Sequence, residues 1–255
     1  MDLFHRDLGG EGLPPLIILH GILGSSRNWQ TAGRDLAARY HVLALDLRNH
    51  GGSPHAEEMT YEAMVGDVLA WLDARGLARV SLLGHSMGGK VAMLLACRWP
   101  ERVERLVVVD IAPRDYEWGG RQRKEFAAMN GLDLVGLGSR VEAERRLEAQ
   151  IPDWALRKFL MTNLERDGDG RWRWTIHLAA LTEALPALEK NPLRAEDRFA
   201  GPALFVVGGK SPYVQPSDWP AIHRHFPAAR IETIPDSGHD PHMQARADFI
   251  RLVLG

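Results

Sequence analysis

Cysteine is nearly missing: Cys97 stands alone in 255 residues, which excludes an intramolecular disulfide, a paired-thiol redox centre and a C-x-x-C metal site. A surplus of one charge sign is missing too. The formal net charge is -2 and the pI is near 6.6. That leaves no excess of basic residues for nucleic acid or an anionic membrane and directs attention to a small-molecule partner. Long apolar runs are absent, since PLIILHGIL and RLVVVDIA fall far short of the roughly 20 residues that cross a bilayer. The opening residues MDLFHRDLGGEG lack the basic and then apolar run of a signal peptide, which predicts a cytoplasmic protein. There is no H-E-x-x-H and no G-x-x-x-x-G-K-[ST], so neither a metal nor a nucleotide is expected, and no cofactor.

The composition, 45% hydrophobic and 25% charged, suffices for one large core. Short runs rich in branched residues predict buried parallel strands at Leu16 to His20, Val42 to Asp46, Val80 to Leu83 and Leu106 to Asp110, with two more at Ala203 to Val207 and Arg230 to Ile234. Apolar residues spaced by three and four predict helices over Trp29 to Arg39, Tyr61 to Arg75 and Met87 to Trp99, and an amphipathic helix in HDPHMQARADFIRLVL. Alternating strand and helix implies a doubly wound α/β sheet with helices on both faces. The alternation stops over 115–198, a stretch of helical pattern carrying Trp118, Trp154, Trp172 and Trp174. This predicts one core, 1–114 with 199–255, and an inserted helical lid.

The chemistry centres on VSLLGHSMGGKVAMLLA. An apolar strand runs into Gly84-His85-Ser86-Met87-Gly88 and then a helix, which is G-x-S-x-G in the strand-turn-helix setting that exposes a nucleophile. Glycines at minus two and plus two let strand and helix approach closely, and the helix N-terminus favours a developing oxyanion. Met87 N-H is the first expected oxyanion donor. Ile22 N-H, in the loop His20-Gly21-Ile22-Leu23-Gly24, is the second, although a structural turn would read the same way.

His239, in a loop between the last strand and the last helix, is the expected general base, with His242, His223 and His225 as competitors. His20, His50 and His85 read as packing or hydrogen-bonding residues. The acid is less direct, because the loop Gly208-Gly209-Lys210-Ser211-Pro212-Tyr213-Val214 holds no carboxylate and Ser211 cannot supply one. Asp110, at the end of the strand after the nucleophile helix, is the preferred acid. Asp218 is its rival, and Asp236 and Asp240 lie too close to His239 in sequence to orient it well.

GHSMGGK, DLRNHGGS, VVVDIAPRDY and GGKSPYV together resemble the YbfF-type bacterial esterases and their eukaryotic abhydrolase-domain relatives, over nearly the whole chain. The resemblance implies the α/β-hydrolase fold, and a Ser-His-Asp triad falling on Ser86, His239 and Asp110. It also implies hydrolysis of short and medium acyl esters and, in some members, of acyl-CoA thioesters. Asp240, where relatives often carry an aromatic residue, departs from the pattern.

The reaction expected is two-step acyl transfer through an acyl-serine. Leu23, Trp172, Trp174 and Tyr213 are candidates for the acyl pocket, although lid core is the favoured reading of the tryptophans. Arg121, Arg123 and Lys124 would suit coenzyme A phosphates but also suit a solvated helix face. Lys90 is expected at the surface or in a salt bridge, and Cys97 in packing. The alternatives are an acyl-CoA thioesterase, and a lyase or cofactor-free peroxidase on the same scaffold.

Overall fold

The computed structural model describes residues 1–117 and 119–255, the side chains of 119–121 excepted. Trp118 and the Arg121 side chain, both singled out above, lie outside the described residues. In chain order the first part is β1 (His5–Asp7), β2 (Pro15–Leu19), α1 (Gln30–Leu36), β3 (His41–Leu45), α2 (Tyr61–Ala74), β4 (Val80–His85), α3 (Met87–Arg98) and β5 (Val103–Val109). The insertion holds α4 (Gly119–Asn130), α5 (Arg140–Leu147), α6 (Trp154–Met161), β6 (Leu164–Arg166), β7 (Trp172–Trp174) and α7 (Leu178–Leu188). The chain returns as β8 (Ala203–Gly208), α8 (Trp219–His225), β9 (Ala229–Ile234), α9 (Pro241–Gln244) and α10 (Arg246–Leu254).

The main sheet has seven strands in the order β1-β3-β2-β4-β5-β8-β9, parallel except for β1, which pairs antiparallel with β3. Its central strands are buried on both faces, and successive residues enter different cores. Ile17, Leu19, Leu82, Leu106 and Val108 join the larger cluster, which α2 and α3 also supply. Leu16, Ile18, Leu83, Val107 and Val109 join the smaller one with Trp29 and Phe249. Each such burial is worth about 1.5–3 kcal/mol, which fixes the register, because a slip of one residue would exchange the faces.

Three features depart from the sequence expectations. The edge strand β1 is three residues long and polar, so period-two hydrophobicity has nothing to register. The insertion is not wholly helical, since β6 and β7 form an antiparallel hairpin around the turn at Asp167, whose carbonyl accepts from Gly170 N. The C-terminal amphipathic segment is two helices, broken at Ala245 with φ -137 and ψ 51. Just before the break, the Gln244 side chain turns back to accept Gly238 N-H at 2.6 Å.

Candidate active site

Strand β4 delivers Ser86 to the carboxyl edge of the sheet, at φ 51 and ψ -116. A positive φ in a non-glycine residue costs about 1–3 kcal/mol and persists only where its surroundings enforce it. Here a Cβ on Gly84 would stand 2.2 Å from Gly88 O, and one on Gly88 would stand 2.4 Å from Leu19 O. The crossing of strand and helix therefore tolerates glycine alone at these two positions. Backbone bonds hold the elbow from both sides: Ser86 N donates to Val109 O at 3.1 Å and Gly88 N to His20 O at 3.1 Å.

Asp110, 1% exposed, also has positive φ, at 50°. Its carboxylate takes three donors. Gly208 N-H reaches Oδ1 at 2.9 Å, while Ser211 Oγ-H and His239 Nδ1 at 2.7 Å both reach Oδ2. Asp110 is thus the carboxylate that meets His239. Asp218 instead pairs with Arg114 at 2.9 Å and accepts Gln215 N-H at 2.9 Å, and exposed Asp236 pairs with Lys210 at 2.9 Å.

The elbow and the His239 loop are joined through His85, whose Nε2 donates to His239 O at 2.8 Å. Asp240 Oδ1 lies 3.7 Å from the same ring. However, burial holds His85 down to about 4, so this contact is not an ion pair at neutral pH. Tyr213 stacks on His239, with ring centroids 4.0 Å apart. Of the competing histidines, His242 is buried and stacked on Trp29 at 4.0 Å, His225 bonds to Asp197 O at 2.8 Å, and His223 is exposed.

The loop after β2 lies directly against the elbow, for a Cβ on Gly21 would stand 3.2 Å from Ser86 Cβ. Among the described residues, the N-H groups of Ile22 and Met87 donate to no carbonyl. Leu23 keeps its side chain in the larger core cluster at 2% exposure. Trp172 and Trp174 pack partly buried against that same cluster, and the Arg166 guanidinium lies 4.6 Å over Trp172.

Lys90 corrects the surface reading. It is fully buried, and its Nζ donates to the carbonyls of Leu188, Glu189 and Lys190 at 3.3, 3.1 and 2.6 Å. The nucleophile helix thereby caps the C-terminal end of α7, and burial lowers the Lys90 ammonium to about 7. Cys97 is packed as expected, its thiol pushed up to about 12 by burial. Arg123 pairs with Glu189 at 3.4 Å on the exposed side.

A profile of the alpha/beta hydrolase fold matches residues 14–245. The chain belongs to the α/β-hydrolase family. Within that family it is 40% identical over 251 residues to the mouse (Mus musculus) sn-1-specific diacylglycerol lipase ABHD11, covering 96% of this chain and 81% of the relative. It is 34% identical over 242 residues to esterase YbfF of Escherichia coli (strain K12), covering 94% and 91%. A solved structure titled marine microorganism esterase superposes with a TM-score of 0.96 at 37% identity, over 100% of this chain and 98% of that one. Among the described residues, no helix of this α/β-hydrolase is long and apolar enough to cross a membrane.

Ser211 joins the site without a sequence signal: its loop lacks a carboxylate, and its hydroxyl serves as a donor to Asp110 rather than as an acid. The buried histidines also carry a measurable cost. Burial holds His50 at about 3 and His85 at about 4, against 6.5 for the unfolded chain. Between these values the unfolded chain binds protons that the folded one refuses, so stability is full above about pH 6.5 and falls as pH drops toward about 4. The thermal midpoint should therefore fall by several degrees between about pH 7.5 and about pH 5; a flat or rising midpoint would contradict the neutral burial of these rings.

Proposed function

We propose that this chain is a serine hydrolase of carboxylic esters with short to medium acyl groups, working through an acyl-enzyme on Ser86. The observation that carries the reading is the bond from His239 Nδ1 to buried Asp110 beside the strained Ser86 elbow. Asp110 holds the His239 tautomer whose Nε2 is free to take a proton, and stabilises the imidazolium that forms. Ser86 Oγ attacks the ester carbonyl while His239 accepts its proton, and the N-H groups of Ile22 and Met87 receive the oxyanion. The alcohol leaves with that proton, and water activated by His239 then releases the acid.

The insertion, 115–198, acts as the lid of the 1–114 and 199–255 core, with Trp172, Trp174 and Tyr213 walling the acyl pocket. An ester substrate is favoured over acyl-CoA because relatives named as esterases and a lipase have esters in common, and because Arg123 already has Glu189 as partner.

The test is a p-nitrophenyl ester series from acetate to dodecanoate, run beside the matching acyl-CoA series. The expected result is an optimum between butanoate and octanoate with weaker turnover of the CoA thioesters. Hydrolysis of no ester would reject the reading, and faster CoA thioester cleavage would replace it with the thioesterase. Product without release of free acid would indicate the lyase or peroxidase class.

A further inference from the structure

We infer that Asn163, from the insertion, is a positioning residue for the oxyanion hole, acting with His50 through the Leu23 peptide to keep the Ile22 N-H aimed at the reacting carbonyl. This rests on the ester-hydrolase reading above. The loop after β2 is a four-residue turn closed by Gly24 N-H on Gly21 O at 3.0 Å. Its third residue is Leu23, at φ 61. That position ordinarily takes glycine or asparagine when φ is positive, so a leucine there must be held from outside.

Two buried side chains from distant parts of the chain do the holding. His50 Nδ1 donates to Arg48 O at 2.9 Å, which leaves Nε2 as the acceptor for Leu23 N-H at 3.3 Å. Asn163, 2% exposed, donates Nδ2-H to Leu23 O at 2.7 Å, while its backbone carbonyl accepts Thr175 N-H at 2.7 Å.

Planarity carries this grip to the site. A trans peptide points its N-H opposite to its C=O. Asn163 holds Leu23 O, so it sets the direction of Gly24 N-H on the other edge of the same plane. Gly24 N-H in turn holds Gly21 O, which also bonds to His20 Nδ1 at 2.8 Å, and this sets the direction of Ile22 N-H on the opposite edge of that plane. Two rigid planes therefore link a lid side chain to an oxyanion donor. Without the Asn163 donor, Leu23 O is a buried carbonyl lacking its partner in a turn already strained, and the Leu23–Gly24 plane can rotate.

The experiment compares wild type with Asn163→Ala, Asn163→Asp and Asn163→Ser, with rates expressed per active site titrated by a fluorophosphonate so that unfolded protein does not count. In Asn163→Ala and Asn163→Asp, kcat should fall by about 10- to 100-fold with KM within about threefold, because the loss is confined to the transition state. Affinity for a trifluoromethyl ketone, whose hemiketal oxyanion occupies the same hole, should fall by the same factor. Asn163→Ser, which keeps a donor, should lose less.

An unchanged kcat in Asn163→Ala, or a lower kcat with unchanged ketone affinity, would overturn the inference. Should wild type hydrolyse no ester, the function reading fails by itself. The inference would then be judged by Ser86 phosphonylation, which is expected to slow by the same factor in Asn163→Ala.

Discussion

Ser86→Ala should lower kcat on the best p-nitrophenyl ester by about five to six orders of magnitude, leaving a residual rate from the oxyanion donors and from binding alone. The size follows from what Ser86 alone supplies. Its Oγ forms and breaks the covalent bond, and neither other candidate nucleophile can substitute: the Ser211 hydroxyl is committed to the Asp110 carboxylate, and Cys97 is a packed thiol held protonated by burial. Alanine keeps the Cβ and the positive φ, so fold and substrate binding should persist. The thermal midpoint should stay within a few degrees of wild type, and a fluorophosphonate should no longer label the protein. A kcat within about tenfold of wild type would remove the nucleophile assignment altogether.

What was legible in the sequence divides along a physical line. Strong local signals carry the candidate site: G-x-S-x-G between strand and helix points to Ser86, loop position points to His239, and the missing carboxylate in the GGKSPYV loop points to Asp110 just after β5. Each depends on residues within about one turn of the chain or on the order of strands. Features set by partners far away were not legible. Lys90 looks like a surface lysine on its helix, yet the carbonyls of 188–190 and the rings of Tyr61 and Tyr116 receive it in the interior. Asn163 stands in no motif, and its partner is 140 positions away. The β6–β7 hairpin reads as part of a helical stretch because three-residue strands such as WRW are too short to show a period of two.

Asp110→Asn should cost about ten-thousand-fold in kcat, whereas Asp218→Asn should leave kcat within about threefold of wild type. The larger effect comes from the three donors converging on Asp110: Gly208 N-H at one oxygen, and Ser211 Oγ-H and His239 Nδ1-H at the other. An asparagine has a single acceptor oxygen. If its amide nitrogen takes the inner position it faces His239 Nδ1, and the ring is driven to the tautomer with the proton on Nε2, which cannot accept the Ser86 proton. If the amide turns over, its nitrogen faces the Gly208 N-H, a buried backbone donor that then has no acceptor. Either orientation sets donor against donor, and the first disables the base directly.

Asp218 has partners other than His239. It pairs with Arg114 and accepts the N-H of Gln215 in the turn leading to α8, so its loss should lower the thermal midpoint without touching the chemistry. The two variants should also separate in their pH profiles. At high pH, hydroxide can take part of the role of the lost base, so Asp110→Asn should recover activity as pH rises, while Asp218→Asn should follow wild type. A collapse in Asp218→Asn with full activity in Asp110→Asn would mean that the carboxylate orienting His239 during turnover is not the one bonded to it at rest.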